Sequence, residues 1–337
     1  MKKLVLIFIS VVILIGSCSK QNNDVRVLRL GYNLSVSHPF HKVMLNFQKK
    51  VKEMSLGKMK IELYPGGVIG GDRTTVELIQ GGVIEMMKTG NSILESFNPV
   101  FSVFSLPYLF DNEKQFDQIM FGPIIDELNK ITMHRDHFVI LTAYTTGTRN
   151  FYTKKTPILK PSDLKGLKIR VMESKTQIDM MHCLGGTPTP MPFSEIYTAL
   201  QQGIIDGAES NPTILTIGKQ GEVAKCWSFD EHAIMPDFLI ISTQIWNSFK
   251  PDQQKIIKKA AVDTAKSYRV AWDKIIEQSI EEAKTKMKVK FYYPDKKPFQ
   301  KMVLPMFKKA GKNKMAAKLL DKINQEKQRI SGNKENL

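Results

Sequence analysis

From residue 25 onward the apolar positions switch between two periods, and each switch marks an element. Residues 27–32 alternate and predict a first strand, with Asn33 at its carboxyl end. Phe40, Val43, Met44, Phe47 and Val51 then recur at three- and four-residue spacing, which predicts a helix over 38–54. Gly57 closes that region, and residues 60–64 predict a second strand ending at Pro65. A helix near 73–80 stops at Gly81 and Gly82, where glycine frees the backbone to turn. Residues 83–87 predict a short buried strand.

This segment recurs. Ile79-Gln80-Gly81-Gly82-Val83-Ile84-Glu85 aligns with Leu200-Gln201-Gln202-Gly203-Ile204-Ile205-Asp206, each a helix end, a glycine and a strand that starts with two apolar residues and an acid. The flanks agree, with a strand at 168–171 and helices at 174–184 and 194–202. An internal repeat of this kind predicts an α/β protein of two similarly built lobes. Ligands of open α/β sheets sit beyond the carboxyl ends of the strands, which singles out Thr89, Gly90 and Asn91 in one lobe and Glu209, Ser210 and Asn211 in the other.

Residues 252–288 contain neither proline nor glycine and carry Ile257, Ala261, Tyr268, Trp272, Ile276 and Ile280 on one broad face. The average helix has about 11–12 residues. This stretch predicts one very long helix, or two with a kink, running across both lobes. One lobe is assigned to 24–145 plus 233–270 and the other to 146–232 plus 271–328, with 329–337 as a frayed polar end.

The N-terminus sets the compartment. Lys2 and Lys3 precede an apolar run over 4–15, too short for a bilayer, and Ile15-Gly16-Ser17-Cys18 follows. Residues 1–17 read as a signal peptide, and the cysteine at the small-residue break reads as a lipidated Cys18 that tethers the protein to a membrane. No other segment reaches the length of a membrane span. The net charge of +16 invites a nucleic-acid reading, but the lysines are scattered over helical faces and no nucleic-acid motif accompanies them. Cys183 and Cys226 could pair in an oxidising compartment; with no dense cysteine framework, two free thiols are the favoured reading. No metal-ligand spacing or cofactor fingerprint occurs, so neither metal nor cofactor is expected, and the chain is expected to be a monomer.

Several motifs together carry a family resemblance. They are Leu164-Lys165-Gly166-Leu167-Lys168-Ile169-Arg170-Val171, the run from Gly185 through Pro190, Phe193 and Tyr197 to Gly203, and Asp206-Gly207-Ala208-Glu209-Ser210-Asn211-Pro212. With Tyr64-Pro65, Gly70-Gly71-Asp72-Arg73, the run from Ser105 to Phe110 and the long helix, they cover about 27–325. The sequence resembles the solute-binding proteins of TRAP transporters, which are driven by an ion gradient. The resemblance implies a periplasmic-binding-protein-like fold, with a ligand cleft between two α/β lobes. It also implies a small organic acid as ligand, membrane permease subunits as partners, and a place outside the cytoplasmic membrane.

The resemblance further implies that Arg170 forks onto the ligand carboxylate, that Arg149 is a second ligand arginine, and that Asn211, or Ser210, follows. A planar guanidinium matches a carboxylate through two parallel hydrogen bonds, which lysine cannot do. Read from the residues alone, Arg170 could instead pair with Glu173 or Asp206, and Arg149 could be a surface residue in a glycine-flanked turn. Asn33 and His38 lie where donors can face a ligand, though His38 precedes Pro39 and could equally cap a helix. Glu77, Glu173, Glu209 and Asp237 are possible acceptors for ligand hydroxyls, with a solvated helix-face acid the favoured reading of Glu77. Asn91 follows the first repeat, and Phe193 is a candidate cleft wall. Acceptors in such number suit a polyhydroxylated acid such as a uronate better than a C4-dicarboxylate. An enzyme lacks support, since no G-x-S-x-G, H-E-x-x-H, P-loop or dinucleotide fingerprint is present. A structural surface lipoprotein, or a sensing subunit feeding a receptor, are the other readings.

Overall fold

The computed structural model describes residues 25–332. The signal peptide expected over residues 1–17 and Cys18 lie outside them. The first unit consists of β1 (Arg26–Gly31), α1 (Pro39–Met54), β2 (Met59–Tyr64), α2 (Asp72–Gln80) and β3 (Met86–Gly90), with β2, β1 and β3 parallel neighbours. After α3 (Asn91–Glu95), α4 (Glu113–Met120), α5 (Ile124–Arg135) and the long β4 (Phe138–Thr153), the plan repeats. The second unit is β5 (Lys168–Val171), α6 (Lys175–Leu184), β6 (Thr187–Pro190), α7 (Ile196–Gln202) and β7 (Gly207–Ser210), with β5 again between the other two.

The repeated sequence segment has a physical reason. Gly82 and Gly203 both take positive φ, +70° and +75°, and the next N–H turns back to the helix, Val83 to the Leu78 carbonyl and Ile204 to the Ala199 carbonyl, each at 2.9 Å. The acid three residues beyond each glycine then serves the neighbouring parallel strand. Glu85 accepts from the Arg29 N–H and Asp206 from the Lys168 N–H, both at 2.8 Å. These residues complete the turns, so β3 starts at Met86 and β7 at Gly207, three residues later than predicted for the first and after rather than within the repeat for the second. Val83 and Ile204 are accordingly exposed while Ile84 and Ile205 are buried.

Two long antiparallel strands, β4 and β8 (Cys226–Ser242), join the units in one sheet of order β2-β1-β3-β8-β4-β7-β5-β6. The carboxyl ends of the two units therefore point toward each other over the middle of β4 and β8, with Gly90 opposite Asp237 and Ser210 opposite Asn150. There the β4–β8 register shifts between Thr145 and Thr148, and Gly147 takes φ +78°. α8 (Thr213–Thr216) precedes β8, and α9 (Thr243–Asn247) follows it. α10 (Pro251–Thr285) is one continuous helix of 35 residues, about 50 Å long. It packs on α1 of the first unit and on α8 beyond the second, with Ala261, Tyr268 and Trp272 in the core. β9 (Lys290–Tyr292) pairs with β8, and α11 (Lys297–Ala310) and α12 (Lys314–Gly332) cover the other face. α12 keeps its helical geometry through Gly332, so residues 329–332 are the last turn of a helix and not a frayed end; Ile330, 7% exposed, holds that turn on the core. Cys183 and Cys226 are free thiols, and Cys226 Sγ donates to the Lys155 carbonyl.

Candidate functional site

Arg170 lies in β5 with Ala208 of β7 and Thr189 of β6 beside it, and is only 5% exposed. Its Nε and Nη2 both donate to the Met191 carbonyl, at 3.0 and 2.8 Å. Among the described residues it has no ion-pair partner. Asp206 is engaged with the Lys168 N–H and Glu173 is exposed, which removes the structural salt bridge read from sequence. Burial pushes the guanidinium below its usual pKa, while Glu209 pulls the other way. A buried cation without an acid is uncommon. The side edge of its fork is used and the end, Nη1 with the second Nη2 proton, is left open.

Arg149 in β4 is placed differently. Its Nε and Nη2 clasp the Glu209 carboxylate, and Nη2 also donates to the Glu209 carbonyl at 2.9 Å, so only Nη1 remains for a further partner. Glu209 is fully buried, and His232 of β8 lies against it with Nε2 3.5 Å from the carboxylate, a Coulombic contact rather than a hydrogen bond. His232 Nδ1 meets Asp230 at 2.7 Å, and its ring stacks on Phe151. Charges alternate along Arg149, Glu209, His232 and Asp230. Burial alone raises the Glu209 carboxyl, but Arg149 and His232 outweigh it and hold it at about 2. Burial opposes the imidazolium, yet Asp230 and Glu209 lift His232 to about 9.

The first unit contributes a second charged group. Lys88 in β3, 6% exposed, pairs with Asp237 of β8 and sits 5.2 Å from the Phe40 ring. Gly90 gives the Asp237 carboxylate room here, since a Cβ would stand 3.3 Å from Oδ1, a tight contact. Asp72, at the start of α2, accepts from Asn33 Nδ2 at 2.8 Å. Burial pushes its carboxyl up to about 6 against the pull of Lys88, and Asp237 adds to the rise. His38 caps α1, its Nδ1 accepting the Phe40 N–H at 3.1 Å, which leaves the proton on Nε2 as an outward donor. Burial, then Lys88, lowers this imidazole to about 4, so it is neutral at pH 7. Thr89 Oγ1 and Asn91 Oδ1 are buried without a partner, while Asn91 Nδ2 donates to Ser105.

The structure thus brings Asn33, His38 and Asp237 into one charged group, with Arg149 close enough to feel Asp237 and Arg170 close enough to feel Arg149 and Glu209. It does not bring Glu77, which is exposed on α2 and pairs with Arg73. Asn211 spends its Oδ1 on the Thr213 N–H and hydroxyl, leaving Nδ2 as a donor. Phe193 is 50% exposed just past Met191. Sequence reasoning missed Lys88 and Asp72. Lys88 carried the signal that drew attention to Arg170, a lone cation inside an apolar strand. A cavity of about 510 Å³ lies between α1, α8 and α10, lined by Lys42, Asn46, Thr216 and Glu282. None of the charged residues above lines it, and the donors that recognise an anion mark the site better than this void does.

Comparison with known proteins agrees with the geometry. The family profile for bacterial extracellular solute-binding proteins, family 7 (DctP), matches residues 30–314. YiiZ of Salmonella typhimurium, named an uncharacterized protein, is 39% identical over 294 residues, 87% of this chain and 90% of its own. A TRAP periplasmic solute-binding protein of Anaerococcus prevotii, solved with bound D-glucuronate, has a TM-score of 0.85 at 36% identity over 90% of this chain and 99% of that one. Another, from Bradyrhizobium in complex with D-galacturonate, has a TM-score of 0.84 at 30% identity over 89% and 100%. The chain belongs to this family and is a TRAP-type solute-binding protein, a transport component and not an enzyme. Among the described residues no helix is long and apolar enough to cross a membrane.

Proposed function

We propose that the protein captures a uronate or closely related sugar acid, with Arg170 on the carboxylate, and delivers it to the TRAP permease. The observation that carries this reading is the buried, acid-free Arg170 with the end of its fork open. Arg149, fixed by Glu209, adds a single-sided contact from Nη1. Asn211 Nδ2, Asn91 and Phe193 border the same carboxyl ends, and Glu173 lies close enough to Arg170 to moderate its charge. Across from them, donors (Asn33, His38 Nε2, Lys88) mix with acceptors (Asp72, Asp237). Hydroxyls both donate and accept, so a sugar ring satisfies such a wall, whereas the two acids disfavour a second carboxylate. The relatives with bound glucuronate and galacturonate support the same class.

Calorimetric titration tests it. D-glucuronate or D-galacturonate is expected to bind at least tenfold more tightly than succinate; succinate binding as well as either would overturn the reading. The register shift at Thr145 and Thr148 and the glycine beside it support a hinge there, between lobes 24–145 plus 233–270 and 146–232 plus 271–328. The reading includes a lipid anchor at Cys18. Cys18→Ser is expected to move the protein from membrane to soluble fractions, and unchanged fractionation with unchanged processing would exclude the anchor.

A further inference from the structure

The positive charge is not spread evenly. Residues 284–318 hold twelve lysines, no arginine and one acid, Asp295, and so account for eleven of the sixteen net charges. Lys286, Lys296 and Lys309 are paired with Glu282, Glu231 and Asp179. Lys284, Lys288, Lys290, Lys297, Lys301 and Lys308 are exposed and, among the described residues, make no ion pair. On α11, Lys297, Lys301, Leu304 and Lys308 follow each other at i, i+4, i+7 and i+11 and form one narrow stripe. Phe299, Val303 and Met306 are buried on the opposite side, so the stripe faces straight out. Leu304 in its centre is 58% exposed. Nearby Met302 is 40% exposed, and Tyr293, 77% exposed, is held outward by stacking on Phe229 at 5.1 Å.

We propose that this surface docks on an anionic lipid bilayer. Water hydrates the lysines but leaves Leu304 exposed, whereas a headgroup layer offers phosphates to the lysines and a shallow apolar zone to Leu304. The absence of arginine argues against a protein partner, because protein interfaces favour arginine and are depleted in lysine. Lysine suits diffuse attraction to many headgroups, worth about 1 kcal/mol per residue near an anionic leaflet. The patch follows the end of α10, whereas Arg26, bonded to Ser248, lies at its start. A chain held near Arg26 and docked through α11 lies along the membrane.

The test uses the chain from residue 19, without leader or acyl group; solved relatives comprise little beyond the equivalent part and fold. Sedimentation with phosphatidylcholine vesicles is measured with and without phosphatidylglycerol. Binding is expected only with phosphatidylglycerol, falling as salt rises. Reversing Lys297, Lys301 and Lys308 to Glu together is expected to weaken it about 100-fold or more. The same reversal at Lys49, Lys52 and Lys58 is expected to leave most of it, and uronate affinity and melting are expected to stay at wild-type values in both triples. Equal losses in the two triples would reduce the effect to net charge and overturn the proposal. So would an absence of vesicle binding, including the case in which the α11 triple loses only binding to detergent-solubilised permease.

Discussion

Arg170→Ala is expected to weaken uronate binding by about 2–5 kcal/mol, because the ligand carboxylate is then buried without its partner. Arg170→Lys keeps the charge but has one ammonium to share between the Met191 carbonyl and the ligand, so a clear loss is expected there too. Ligand-free melting separates this from a structural role. Arg170 has no acid to strand, so neither substitution is expected to lower the melting temperature by more than a few degrees, and relief of the buried charge works in the opposite direction. Calorimetry and melting on the same variants decide the matter. Wild-type affinity in Arg170→Lys would end the carboxylate assignment.

Glu209→Ala is expected to act on the other quantity. It leaves the Arg149 guanidinium and the His232 imidazolium with Asp230 alone, and breaking a buried ion pair costs about 3–5 kcal/mol. Urea unfolding across pH reads it. The folded Glu209 value of about 2 lies below its ordinary 4.5, so its stabilisation is complete above 4.5 and is lost as pH falls through about 2. His232 goes the other way, about 9 against 6.5, so its contribution is complete below 6.5 and lost as pH rises through about 9. The contribution of this network, read as the difference between wild type and variant, is therefore greatest between roughly pH 4.5 and 6.5 and declines on either side. The variant is expected to lose the acid decline but to keep part of the alkaline one, because Asp230 still faces His232, and a variant as stable as wild type at pH 6 would show that the network does not hold β4, β7 and β8 together.

The repeat, the two units and the long helix were legible because hydrophobic period and glycine position report directly on local backbone geometry. Gly82 and Gly203 marked equivalent turns before any coordinate was known. The strand starts were misplaced because Val83, Ile84 and Glu85 have strand-like chemistry, and only the neighbouring β1 N–H reveals that Glu85 is a turn acid. At the site, Arg170 stood out as a cation inside an apolar strand, but the roles of the acids, Asp237 among them, did not. Glu77 and Glu209 are equally acidic in one dimension; one faces water beside Arg73 and the other is consumed by Arg149. Lys88 and Asp72 stayed hidden because their partners come from β8 and from the loop after β1, far away in the chain.

The exchange of β4 and β8 between the units also dictates an order of events during synthesis. β3 takes its second neighbour from residues 237–241, and every residue of the second unit must be made before they appear. Until then β3, and the sixteen-residue β4 once it is made, carry bare strand edges, templates for pairing with another chain. Pairing across so long a separation is slow, since loop closure must be met before the contacts reward it. Any product that stops short of residue 237 keeps the β3 edge permanently. Fragments ending in β7 should therefore aggregate even though both α/β units are complete in them, and the folded state arrives only when the last long strand is laid between them.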